Sequence, residues 1–156
     1  MKTADLSDQN SNLQYAYDLF KPFGQHIAFG GKIRTVKCFE DNSWVRKTLE
    51  TPGDGAVLVV DAGGSQRCAM LGDLLAQFGV DNNWAGVSMD GMIRDSADIN
   101  QMAIGVRALG TYPLKSQKKD IGEVDVVVRF AGVEFRPGEY VYADEDGIVT
   151  SSIPLS

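Results

Sequence analysis

The chain has 156 residues, 44% of them hydrophobic and 23% charged, the size and make-up of one globular domain whose core needs no covalent staples. Its formal charge of −6 and pI of about 4.7 argue against nucleic-acid binding, which needs clustered Lys and Arg against phosphate. Cys38 and Cys68 form no CxxC and read as small buried thiols, and a single His leaves no Cys/His metal site. No apolar run is long enough for a bilayer and no basic-then-apolar leader opens the chain, so the expected setting is the cytoplasm, away from membranes.

Residues 12–20 place Leu13, Ala16, Tyr17 and Phe20 on one helical face, ended by Pro22 and Gly24. Gly30–Gly31 reads as a turn. Residues 32–39 mix β-branched and polar side chains, as a half-buried strand does. A helix follows, capped by Asn42 or Ser43, with Trp44, Val45, Thr48 and Leu49 on one side; Pro52, Gly53 and Gly55 stop it. Residues 56–62 (AVLVVDA) are a continuous apolar run, the mark of a strand buried on both faces. Gly63–Gly64–Ser65 turns the chain. Residues 71–80 predict a helix with Leu71, Leu74, Leu75 and Phe78 inward, and residues 84–89 a second buried strand. Residues 56–89 thus form a parallel strand–helix–strand unit with a right-handed crossover.

Residues 96–102 read as one or two helical turns capped by Asp95 or Ser96, and residues 104–112 as a strand. Lys115, Lys118 and Lys119, followed by Asp120, read as a solvated loop. Val124, Val126, Val128 and Phe130 alternate as a strand does. Arg136–Pro137–Gly138 is a turn, and Glu145–Asp146–Gly147 joins a hairpin between residues 140–143 and 148–151. The expected architecture is one α/β domain over residues 1–156, with a central parallel unit and antiparallel strands around it.

Three clusters of residues invite chemistry. Asp61–Ala–Gly–Gly–Ser65 follows a buried strand but has neither a P-loop ending nor the dinucleotide spacing, and reads as a plain strand-to-helix turn. Gly72, Asp73, Leu74 and Leu75 open a helix, where backbone N–H groups and the dipole can hold a carboxylate, though Asp73 also suits a helix start on its own account. Arg94 and Asp95 lie just past the carboxyl end of a buried strand, where open α/β sheets bind ligands. Arg forks onto a carboxylate and Asp can hold a hard cation; taken alone, the pair would read first as a surface Arg and a helix cap. The spacing D-x20-R-D, from Asp73 to Arg94–Asp95, lets the second and third clusters face one crevice.

A series of motifs runs along nearly the whole chain: Thr3-x-Asp5-Leu6-x-Asp8, Phe29–Gly30–Gly31, Val36–Lys37–Cys38–Phe39–Glu40–Asp41–Asn42, Val59–Val60–Asp61-x-Gly63–Gly64–Ser65, Leu71–Gly72–Asp73, Asp90–Gly91-x-x-Arg94–Asp95 and Tyr142–Ala143–Asp144-x-x-Gly147–Ile148–Val149. In these motifs the sequence is similar to the RraA-like family, the regulators of ribonuclease E activity A together with the class II 4-hydroxy-4-methyl-2-oxoglutarate aldolases. Ser7, Gln9, Gln25–His26, Ser88 and Met89 depart from the family pattern without removing a metal or substrate group. D-x20-R-D resembles the aldolase branch, whereas residues 37–42 and Tyr142–Ala143–Asp144 resemble the regulators.

The resemblance implies a layered α/β/β fold similar to swivelling phosphohistidine domains, and a homotrimer or hexamer. It implies that Gly72, Asp73, Leu74, Leu75 and Arg94 bind the pyruvate-like part of an oxo acid, with Arg94 and Asp73 catalytic and Asp95 holding Mg2+ or Mn2+. Aldol cleavage of a 4-hydroxy-2-oxo acid and decarboxylation of oxaloacetate leave the same pyruvate enolate, so one site serves both. The other reading is a non-enzymatic inhibitor that binds ribonuclease E, in which acids such as Glu123, Glu134, Glu139 and Glu145 would matter more than Arg94. Older labels of the family as a menaquinone methyltransferase gain nothing from this sequence, which carries no dedicated nucleoside-binding loop.

Overall fold

The computed structural model describes residues 2–155. In chain order the elements are α1 (Thr3–Gln9), β1 (Gln14–Tyr15), β2 (Lys21–Phe23), β3 (Phe29–Lys37), α2 (Ser43–Leu49), β4 (Val57–Asp61), β5 (Ala69–Leu71), α3 (Asp73–Asp81), β6 (Gly86–Asp90), β7 (Met92–Ile93), α4 (Ser96–Ile99), β8 (Gly105–Ala108), β9 (Gly110–Thr111), β10 (Glu123–Val124), β11 (Val128–Phe130), β12 (Val133–Phe135), β13 (Tyr140–Asp144) and β14 (Gly147–Ser151). The main sheet runs β1-β14-β13-β3-β4-β6-β8-β2, with β10 also paired to β3. Its centre, β3-β4-β6-β8, is parallel, and its flanks are antiparallel. A small parallel sheet, β5-β7-β9, stands beside it.

The apolar run of β4 is explained by two cores, one on each face. Leu58 and Val60 join Val45, Leu49, Leu75, Ala76 and Ile99 under the helices. Val57 and Val59 join Val128, Phe130, Val133 and Phe135 of the β11-β12 hairpin on the other side. Every one of these β4 side chains is fully buried, each adding roughly 1.5–3 kcal/mol of transfer free energy. Helices, sheet and hairpin therefore make the expected α/β/β layering, and β4 and β6 are parallel as expected.

Several local expectations give way to tertiary pairing. Residues 12–20 are not a helix; the first helix is α1. Gln14 and Tyr15 pair with Thr150 and Val149, and the Gln14 side chain bonds both the carbonyl and the N–H of Glu134, so edge pairing overrides the apolar spacing. Gly30–Gly31 is no turn but the start of β3. A Cβ at Gly31 would stand 2.2 Å from the Gly55 carbonyl oxygen, and one at Gly30 2.6 Å from the Tyr142 ring, so these glycines permit close approach. The strand predicted over 124–130 breaks at Asp125 (φ 54°), whose carboxylate takes both nitrogens of the Arg34 fork at 2.9 and 3.1 Å. The strand predicted over 104–112 splits into β8 and β9 because β9 leaves the main sheet to pair with β7. The helix predicted from Leu71 begins at Asp73: Leu71 belongs to β5, and Leu74 is 52% exposed rather than inward. The Asp-Gly hairpin is as expected, with Asp144 opposite Gly147. No helix among the described residues is long and apolar enough to cross a membrane.

Candidate functional site

The small sheet explains the D-x20-R-D spacing. β5 pairs with β7 so that Leu71 lies opposite Ile93, and the next residues in each strand are Gly72–Asp73 and Arg94–Asp95. The intervening chain is spent on α3 and β6. Arg94 N–H donates to the Leu71 carbonyl at 2.9 Å, and Asp73 N–H donates to Asp95 Oδ2 at 3.0 Å. Residues more than twenty apart in sequence are thereby locked face to face by one backbone bond and one bond to a carboxylate.

Asp95 occupies the N-cap position of α4 in the left-handed conformation (φ 57°, ψ 37°), which Asp tolerates better than most residues. Its carboxylate makes no cap bond to its own helix. Instead it caps α3, whose dipole favours a negative charge there. Asp73 Oδ1 takes the N–H of Leu74 at 2.8 Å, leaving Leu75 N–H as the first-turn donor that neither carboxylate takes. Gly72 has ordinary extended angles (φ −124°, ψ −169°), so its role is space: a Cβ there would meet Asp95 Oδ2 at 2.8 Å.

All the residues expected at the site, Gly72, Asp73, Leu74, Leu75, Arg94 and Asp95, line one crevice of about 130 Å3. Arg94 is half-buried; Asp73 and Asp95 are exposed. Among the described residues no group of three or more His, Cys, Asp or Glu could enclose a metal ion. The donor set nonetheless fits a hard divalent cation held by one carboxylate with waters and substrate oxygens completing its shell, since Asp95 Oδ1 accepts no hydrogen bond from the described residues.

The crevice also contains residues that the sequence did not point to. Asn42, Arg46, Ala69, Lys115 and Lys118 complete its lining, so the loop of Lys115 and Lys118, exposed as expected, also forms one wall of the crevice. Their segment leaves the carboxyl end of β9, third strand of the small sheet; the rule that selected Arg94 would have selected them too, had that strand been recognised. Buried Asp41 fixes the segment. Its Oδ2 accepts Lys119 N–H at 2.8 Å and Ile121 N–H at 3.0 Å, while Oδ1 accepts the N–H and hydroxyl of Ser43. Burial opposes its charge, but these donors outweigh it and hold the carboxyl at about 2. The acid also caps α2, a task expected of Asn42 or Ser43.

The remaining candidates lie elsewhere. Glu134 is engaged by Arg129 at 3.3 Å and by Arg136, and Glu145 sits at the β13-β14 hairpin; neither they nor Glu123 and Glu139 line the crevice. Gly63–Gly64 is a left-handed turn (φ 68° and 71°), but it leads from β4 into β5 rather than into the helix expected next. Both cysteines are buried, and burial, with Asp41 and Asp61 nearby, pushes the Cys38 thiol up to about 12, so it stays protonated.

Known proteins resemble this chain along nearly its whole length. A protein from Aromatoleum aromaticum that carries the provisional name 4-hydroxy-4-methyl-2-oxoglutarate aldolase is 56% identical over 99% of this chain and 98% of its own. The solved RNA-processing inhibitor RraA of Thermus thermophilis superposes with a TM-score of 0.97 at 44% identity, over 100% of this chain and 95% of its own. A solved protein of Geobacillus kaustophilus, described as an S-adenosylmethionine:2-dimethylmenaquinone methyltransferase, superposes with a TM-score of 0.96 at 51% identity, over 99% and 97% of the two chains. The RraA-like family, described as Aldolase/RraA, matches residues 3–150, and the chain belongs to it.

Proposed function

We propose that this protein is a divalent-metal-dependent lyase that cleaves oxo acids of the 4-hydroxy-4-methyl-2-oxoglutarate type to pyruvate, and that it also decarboxylates oxaloacetate. The observation that carries this reading is the joining of Gly72–Leu75 to Arg94–Asp95 in one small crevice by the pairing of β5 with β7. The aldolase name of relatives at 48–56% identity supports it. A crevice of about 130 Å3 is below the usual range for drug-sized ligands of about 300–1,000 Å3, which suits a small acid rather than a nucleoside-bearing methyl donor.

In this reading Leu75 N–H and the Arg94 fork take the substrate's first carboxylate, and Arg94 shares the negative charge that builds on the 2-oxo oxygen as the C3–C4 bond breaks. Mg2+ or Mn2+ held at Asp95 would supply Lewis-acid polarisation of that same oxygen. In the aldol cleavage the 4-hydroxyl proton leaves to a carboxylate, and Asp73 is the crevice acid that metal binding leaves over. In oxaloacetate the departing group is CO2, so only a proton delivered to C3 of the enolate is needed. Gly72 contributes by letting Asp95 close on the start of α3. In keeping with the family, assembly as a trimer or hexamer belongs to the same reading; exposed Phe39, Leu114 and Ile121, which border a 540 Å3 cavity beside the crevice, are the apolar surface suited to it.

The test is pyruvate release from oxaloacetate and from 4-hydroxy-4-methyl-2-oxoglutarate, with Mg2+ and with EDTA, beside Arg94→Ala. Metal-dependent release that falls at least 100-fold in the variant is expected, the loss typical of one removed charge-stabilising donor. Release no faster than with metal ion alone would sink the lyase reading. It would favour a protein-binding inhibitor of ribonuclease E, a reading supported by the likeness to RraA. Inhibition of that ribonuclease that survives Arg94→Ala would assign it to another surface.

A further inference from the structure

Arg107 carries a buried charge for which the crevice has no use. In β8 its neighbours Val106 and Ala108 pack into the core under the helices, so Arg107 points to the opposite face of the sheet. There it is only 4% exposed and lies 5.3 Å from the centre of the Phe29 ring. A guanidinium this deep is normally paired with a carboxylate. Arg107 has none within ion-pair distance among the described residues. Carbonyls hold it instead. Nη2 donates to those of Ile27 and Asp144, the second at 3.1 Å, and Nη1 reaches that of Val106 at 3.4 Å. Nε donates to nothing among the described residues. Asp144, which offers the carbonyl, has its carboxylate engaged elsewhere: Oδ2 accepts Thr3 N–H at 2.7 Å, and Oδ1 accepts the Thr3 hydroxyl at 2.6 Å and Asp146 N–H at 2.9 Å. Ser88, paired with Arg107 across β6 and β8 and pointing to the same face, has a buried hydroxyl with no hydrogen-bond partner. Donors therefore outnumber acceptors on this stretch of the sheet.

Arg107 lines a cavity of about 190 Å3 that shares no residue with the crevice. One wall is the connection from β1 to β2, and the other is the tip of the β13-β14 hairpin. Both walls are fixed: Ala16 N–H donates to the Ile148 carbonyl at 3.0 Å, and Tyr17 N–H to the Ala131 carbonyl at 2.9 Å. Phe20, Pro22 and Ile148 give the cavity an apolar side. Asp18, Glu145 and Asp146 also line it, but these three are exposed and their carboxylates take no ion pair or hydrogen bond among the described residues. The cavity is thus cationic at its buried end and anionic at its rim. A lone anion is opposed by the rim, and a lone cation by the guanidinium. A molecule with both charges on one carbon answers both.

We propose that this cavity binds a free aliphatic α-amino acid. Arg107 receives its carboxylate, the rim acids Asp18, Glu145 and Asp146 receive its ammonium group, and its side chain lies against Phe20, Pro22 and Ile148. The volume is below the usual range of about 300–1,000 Å3 for drug-sized ligands, which suits a molecule this small.

Calorimetric titration with L-leucine tests this, beside 4-methylpentanoate, which lacks the ammonium group, and 3-methylbutylamine, which lacks the carboxylate. Each analogue is expected to bind roughly 10- to 100-fold more weakly than leucine, as suits the loss of one charge-assisted contact. Arg107→Met should abolish leucine binding. Because a buried Arg can also matter to folding, the double variant Asp18→Asn with Glu145→Gln, at exposed positions, gives a second measure: leucine should bind roughly tenfold more weakly, and 4-methylpentanoate no more weakly than to the unaltered protein. Arg94→Ala should leave leucine binding as it is. No heat from leucine up to about 10 mM overturns the proposal. So does 4-methylpentanoate binding as tightly as leucine, or leucine binding that the rim double variant leaves unchanged. Leucine binding lost in Arg94→Ala overturns it as well, by placing the amino acid in the crevice.

Discussion

A Cβ added at Gly72 would stand 2.8 Å from Asp95 Oδ2 and 3.6 Å from the Arg94 side chain. The backbone angles of Gly72 suit any residue, so Gly72→Ala brings no conformational strain and the whole effect falls on the Asp95 carboxylate. That carboxylate must retreat by several tenths of an ångström, weakening its bond to Asp73 N–H and moving the proposed cation position with it. Site geometry is sensitive to shifts of this size, so kcat/KM for pyruvate release is expected to drop roughly tenfold or more. Thermal melting should barely change, since Gly72 is only partly buried and the displaced group is exposed. Steady-state kinetics beside a melting curve checks this; full activity in Gly72→Ala would show that the Asp73–Asp95 contact is not part of the working site.

At the scale of elements, the segment carrying Lys115 and Lys118 depends on an acid outside the crevice. Asp41 holds that segment by two backbone N–H groups and the start of α2 by Ser43. Its carboxyl is at about 2 in the folded protein, against about 3.9 in an unfolded chain. A depressed acid of this kind contributes stability that is fully present above the unfolded value and is lost as pH falls through the folded one. For this shift the contribution is about 2.5 kcal/mol, disappearing mostly between about pH 4 and pH 2. Asp41→Asn removes one charged acceptor, so urea unfolding should show lower stability at neutral pH and a shallower loss across that acid window. An equal pH slope in the two proteins would mean that the donors around Asp41 do not favour its charge.

The same elements show what the amino-acid order reveals. The AVLVVDA run announces β4 because a strand between two cores must be apolar at every position. D-x20-R-D is legible because strand, helix and strand lengths are stereotyped, so twenty residues bring the next strand end back to the first. The spacing of Leu13, Ala16, Tyr17 and Phe20 misleads, because those side chains sit on an edge segment that is only partly covered. Gly30–Gly31 misleads for a related reason: the need for glycine comes from Gly55 and Tyr142, far along the chain. Lys115 and Lys118 reach the site through the pairing of β9 with β7, a two-residue contact without a periodic signal of its own, and through the hold of Asp41 on their segment.

Considered as a whole, the molecule presents a dianion with two opposed fields. The chain's charge of −6 repels at long range, whereas the crevice, where Arg46, Arg94, Lys115 and Lys118 outnumber Asp73 and Asp95 by two charges, attracts at contact. Salt separates them, because screening removes distant interactions first: the Debye length falls from about 30 Å at 0.01 M to about 8 Å at 0.15 M and about 3 Å at 1 M. From 0.01 to 0.15 M mainly the repulsion fades, so KM for a dicarboxylic oxo acid should fall. Toward 1 M the crevice charges are screened as well, and KM should rise again. The expected KM profile therefore has a minimum near physiological ionic strength, and Lys118→Met should flatten its high-salt limb while leaving the low-salt limb, which belongs to the whole surface. A KM that climbs steadily from the lowest salt would mean that the crevice field reaches well beyond its mouth and outweighs the acidic surface at every distance.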